Sequence, residues 1–133
     1  MRFVAALLGV FLATPALGDC PLDLGRGTGW VVFSGQYLMA FRPDPLRIEV
    51  GEPFALIVNV CTRSGDSAEL LAVDANMPEH RHGMNYRASI VDRGDGRFRA
   101  EGLVFHMPGR WEITFDVRGG EDSERLTHDI ILK

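Results

Sequence analysis

Cysteine is scarce in this chain. Only Cys20 and Cys61 occur among 133 residues, with no CxxC redox pair and no short thiolate metal spacing. Basic residues are not in excess. The formal net charge is −4, which disfavours a generic nucleic-acid binder with a basic face. After the first residues no apolar run reaches the roughly 18 residues of a membrane helix, so no membrane span is expected in the mature chain. The Gly-x-Ser-x-Gly elbow, the Walker loop and the dinucleotide fingerprint are all missing. Asp92, Asp95 and Glu101 lack the spacing of an EF-hand calcium loop. Serine and aspartate near His80 are not patterned as a triad, so no enzyme is expected. Repeats, low-complexity tracts and internal linkers are absent too.

What is present begins with a targeting segment. Arg2 supplies a positive start, Phe3 to Ala13 an apolar stretch, and Ala16 and Gly18 the small residues of a cleavage site. Residues 1–18 therefore read as a signal peptide cut after Gly18, and residues 19–133 as one exported domain. Cys20 close behind raises lipid attachment as an alternative, which Asp19 fits poorly. In an oxidising compartment two cysteines are most simply a disulfide. It would pin the mature N-terminus to mid-chain, and closing a loop of about 40 residues stabilises by roughly 3–4 kcal/mol. A pair of thiolate ligands is the alternative.

The mature chain reads as strands. With 15 glycines, 7 prolines and few long helix formers, turns are frequent. Trp111, Ile113, Phe115 and Val117 alternate with Glu112, Thr114 and Asp116, as in a strand with one face on a core. Phe54 to Val60 is nearly all apolar, as in a central strand, with Arg47 to Val50 before it across a turn. Glu69 to Ala75, Arg125 to Leu132, and the pair Trp30–Phe33 and Tyr37–Phe41 follow the same logic. Tyr86 to Val91 and Arg97 to Phe105 flank Asp92-Arg93-Gly94-Asp95-Gly96, a strong hairpin signal that also accounts for the Arg-Gly-Asp tripeptide. Gly102 marks a bulge inside the second. Seven to nine short strands without a helix predict an all-β, immunoglobulin-like antiparallel β-sandwich. Trp30 and Trp111 read as core anchors, and His128, at the parity of Leu126 and Ile130, as a partly buried structural histidine.

One region carries unusual chemistry. Met77-Pro78-Glu79-His80-Arg81-His82-Gly83-Met84 and His106-Met107-Pro108-Gly109 both fall at strand ends. The intervening hairpin returns the chain to its start, so the two stretches should converge at one end of the sandwich. Imidazole nitrogen with thioether sulfur suits a soft or borderline metal, copper above all. The expected ligands are His80, His82 and Met84, with Met77, His106 or Met107 completing the set, and Glu79 orienting an imidazole. Bound imidazole must be neutral, so affinity should fall as pH drops through the ordinary histidine range. Two readings stand beside this one. The methionines also suit strand ends at the core edge. The same loops also suit docking of a protein partner without bound metal.

The run DANMPEHRHGMNY, followed by GRFRAEGLVFHMPGRWEITFDV, resembles the YtkA-like and FixH-like group of exported bacterial domains over roughly residues 45–133. The matching positions are Met77, Pro78, His80, His82, Gly83, Met84, Phe105, Met107, Gly109 and Trp111. The resemblance implies a periplasmic or secreted immunoglobulin-like sandwich. It also implies an association with copper handling and with envelope or respiratory-oxidase assembly proteins. The chain is expected to depart from FixH-like proteins in lacking a membrane anchor. It departs from cupredoxins in having no cysteine near His106 to complete a blue-copper set.

Overall fold

A computed structural model of the chain describes residues 9, 10, 12, 20–25 and 27–133. The signal-peptide assignment, its cleavage point and Asp19 therefore lie outside the described residues, apart from Gly9, Val10 and Leu12. No helix is long and apolar enough to cross a membrane among the described residues.

The described residues form nine strands and no helix. The strands are β1 (Trp30–Phe33), β2 (Tyr37–Asp44), β3 (Pro53–Thr62), β4 (Glu69–Met77), β5 (His82–Gly83), β6 (Ser89–Asp92), β7 (Arg97–Val104), β8 (Gly109–Gly119) and β9 (Asp122–Leu132). They make two antiparallel sheets, ordered β1-β2-β3-β7-β6 and β5-β4-β8-β9. The four-strand run β2-β3-β7-β6 facing β4-β8-β9 is the A-B-E-D and C-F-G order of an immunoglobulin sandwich. Here β1 extends one sheet and β5 the other.

Period-two patterning builds the core. On β8, Trp111, Ile113, Phe115 and Val117 are fully buried while their neighbours are half-exposed. Phe54, Leu56, Val58 and Val60 of β3 face them across the sandwich core. The other side of β3 is covered as well, which explains its unbroken apolar run. Asn59 is buried there, and its Nδ2 donates to the carbonyl of Pro21 at 2.6 Å. The Cys20–Cys61 disulfide, with Cα atoms 5.7 Å apart, fastens that N-terminal segment beside β3. A buried amide without such a partner would carry a desolvation cost of about 1–3 kcal/mol.

The Asp92–Gly96 hairpin forms as expected, with Asp95 at φ 55° and Gly94 at φ 83° making the turn between β6 and β7. Gly102 is the bulge. Its φ is 84°, and the β3–β7 register slips opposite it, between Phe54 and Leu56. His128 is half-buried against Trp30 and Phe41, with ring centroids 5.3 Å from each.

Two expectations are corrected. Arg47 to Val50 is not a strand: β2 already runs to Asp44, and residues 45–52 form the link to β3. Pro45 cannot donate to a ladder, and Ile48 instead packs its side chain onto the core. Trp30 is not a core anchor. It lies on edge strand β1, 38% exposed, and laps over Phe41 and His128 where β1 closes against β9.

Candidate functional site

Strand β4 ends at Met77, and Pro78, which has no N–H to donate, begins the turn. The His80 N–H donates to the Met77 carbonyl at 3.1 Å. Arg81 takes a left-handed φ of 53°, and the chain folds back as β5. Met77 then pairs with His82 and Asn76 with Gly83, and the Met84 N–H donates to the Ala75 carbonyl at 3.3 Å. Directly opposed residues of an antiparallel pair project to one side. His82 thus shares the inward side of Met77, half-buried at the top of the core.

The second stretch is the link from β7 to β8. Phe105 is fully buried, and its carbonyl accepts from the Gly51 N–H at 2.9 Å. His106 is exposed, Met107 is half-buried against the core, and Gly109 opens β8 at φ 127°. A Cβ at Gly109 would lie 2.7 Å from the Met77 Cε, so the Met77 methyl occupies the space that this glycine leaves.

The two stretches meet. His82 and His106 have ring centroids 5.1 Å apart, and His80 and His82 are 5.8 Å apart. All three imidazoles lie at one end of the sandwich, opposite the Cys20–Cys61 end of β3. Beneath them stands Trp111. Its indole centroid is 5.4 Å from His106 and 6.2 Å from His82, each ring set edgewise at 79° and 69°. Phe105 stacks on the indole at 4.5 Å, nearly parallel at 3°. The indole Nε1–H donates to the Met107 carbonyl at 3.0 Å and so ties down the loop that carries His106.

The thioethers differ in setting. Met77 is fully buried in the core cluster, whereas Met84 and Met107 are partly buried at its edge. Met84 also lines an open groove of about 550 Å³ between β4 and β6, together with Leu71, Val73, Tyr86, Ala88 and Ile90. The His80 and His82 planes are stacked at 27°, and the His82 and His106 planes are tilted at 32°. Among the described residues no three His, Cys, Asp or Glu side chains are set to close on one metal ion.

Glu79 does not orient an imidazole. Its Oε1 accepts from Arg110 Nε at 2.7 Å, and Arg110 Nη1 also donates to Asp129 at 2.8 Å. This bridge ties the 78–81 turn to β8 and β9. The Arg110 guanidinium holds the Glu79 carboxyl below its usual range, and Glu79 raises the arginine in turn. Sequence reading misses Arg110 as a site neighbour, and takes Trp111 as a core anchor and motif position without setting it against the imidazoles. Arg110 follows Gly109 directly, but its partners Glu79 and Asp129 are remote in sequence, and Trp111 meets the distant His82 only through the tertiary fold. Comparison with protein-family models, curated proteins and solved structures finds no match to this chain.

Proposed function

We propose that this chain is an exported metal-binding module that carries or buffers copper, most simply in the periplasm. Its donors are the imidazoles of His80, His82 and His106, with Met84 and Met107 as flanking thioethers and Met77 behind them. The observation that carries the reading is the meeting of His82 and His106 at 5.1 Å from stretches 24 positions apart, with His80 at 5.8 Å. Imidazoles sharing one ion have ring centres of comparable separation, since each nitrogen sits about 2 Å from the metal. Modest rotation about the side-chain torsions turns a stacked pair into a convergent one. Mixed nitrogen and sulfur donors suit copper, and thioethers, unlike thiols, are not consumed by disulfide formation. The Cys20–Cys61 bond supports an oxidising compartment. The YtkA-like and FixH-like resemblance points the same way. No catalytic role is assigned to any residue.

Copper titration of the purified mature protein should reach one equivalent, and a His80→Ala, His82→Ala double variant should lose it. Unchanged binding in that variant rejects the site.

A second reading rests on the near-parallel rings and on the exposure of His80 and His106. On it, the same end of the sandwich docks an envelope or respiratory-assembly protein without metal. Protein isolated mildly from its own envelope fraction should then hold no copper and take none up.

A further inference from the structure

Trp111 has a part in the site that core packing alone does not require. Three observations converge on it. Its side chain is fully buried, yet two of the three gathered imidazoles pack edgewise against it. Its only hydrogen-bond donor is spent on the Met107 carbonyl, at the root of the loop that carries His106. The three ring separations, 5.1, 5.4 and 6.2 Å, place the midpoint between the His82 and His106 ring centres about 5 Å from the indole centroid, so an ion held there over the indole face would lie within the roughly 6 Å of a cation–π contact.

We infer that Trp111 is the inner wall of this metal site, a positioning and selectivity residue that favours a monovalent soft cation, Cu(I), over divalent ions. The inference rests on the metal-binding reading above. An indole offers attraction to a cation but no lone pair, so nothing on the core side can complete a four- to six-donor shell. The cost of stripping water from an ion grows with the square of its charge, so a wall of this kind penalises a divalent ion most. Cu(I) accepts few donors, and imidazole with thioether suits it. The Nε1–H bond to Met107 meanwhile fixes His106 within reach of His82.

The chain has two tryptophans, so Trp30→Phe leaves Trp111 as the single indole reporter. The mature Trp30→Phe protein is titrated anaerobically with Cu(I), then with Ag(I) as a redox-inert surrogate, and separately with Zn(II). A chromophoric chelator counts bound monovalent metal. Near-UV absorption and emission of Trp111 should shift and saturate at one equivalent of Cu(I) or Ag(I), and equimolar Zn(II) should not displace them. In the otherwise native chain, Trp111→Phe keeps an aromatic filling but loses the Nε1–H, and Ag(I) affinity should fall about tenfold or more. Stoichiometric Cu(I) binding with an unmoved indole spectrum overturns the role of Trp111 and leaves the copper reading standing. Displacement by equimolar Zn(II) overturns the selectivity, and unaltered Ag(I) affinity in folded Trp111→Phe overturns the positioning role. Absence of binding by any of the three metals overturns both readings. Should Trp111→Phe fail to fold, the Trp30→Phe titration decides.

Discussion

Gly109→Ala is expected to destabilise the fold through two separable terms. The residue sits at φ 127°, a backbone region that side chains rarely adopt, and holding a non-glycine there costs of the order of 1–3 kcal/mol. The new Cβ would also stand 2.7 Å from the Met77 Cε, which must move within a fully packed core. Because that methyl ends a flexible side chain, the overpacking term belongs at the low end, about 1 kcal/mol. The sum, about 2–4 kcal/mol, leaves a typical domain folded but lowers its melting temperature by roughly 10 °C. Equilibrium urea unfolding measures it, provided the slope with denaturant is unchanged. A double-mutant cycle separates the terms. Met77→Leu removes the Cε and costs about 1 kcal/mol by itself. In that background Gly109→Ala should lose the steric term and retain the backbone one, a coupling of about 1 kcal/mol. Strict additivity of the two substitutions, or a Gly109→Ala cost below about 0.5 kcal/mol, would refute the packing described for this end of the sandwich.

Burial holds the His128 imidazole below its ordinary value of 6.5, with a smaller opposing effect from Asp129. The unfolded chain therefore takes up this proton first. Stability conferred by neutral His128 is complete above pH 6.5 and declines as pH falls towards the lower folded value. His128→Leu should flatten unfolding free energy against pH in the window just below pH 6.5, and an unchanged slope would remove that assignment. The lowered carboxyls of Asp44, Glu79 and Asp116, each bonded to an arginine, act at more acid pH. Cys20→Ser with Cys61→Ser opens a loop of sequence separation 41 and should cost roughly 4 kcal/mol by the chain-entropy relation. Metal titration of that variant below its melting point should be unaltered, because the disulfide lies at the far end of β3. Lost metal binding in a folded double-serine variant would contradict the separation of the two ends.

Local chemistry made much of this protein readable before any tertiary contact was known. Alternation at Trp111 to Val117 marked a half-buried strand, and the continuous run Phe54 to Val60 a central one, because side chains on a strand alternate faces whatever the partner. The Asp92–Gly96 turn carried its own left-handed residues. That turn also implied the return of His106 towards His82, since a hairpin must retrace its path. Tertiary structure decided what alternation cannot. It sent Trp30 to an edge strand and Trp111 to the core, although both are tryptophans within apolar strands. It turned Ile48 inward from a non-strand link and gave Glu79 to Arg110 rather than to an imidazole. It also set Trp111 beneath His82 and His106. Each of these depends on which strands become neighbours across two sheets. That choice is made by the summed burial of the whole core, and no short stretch of residues encodes it.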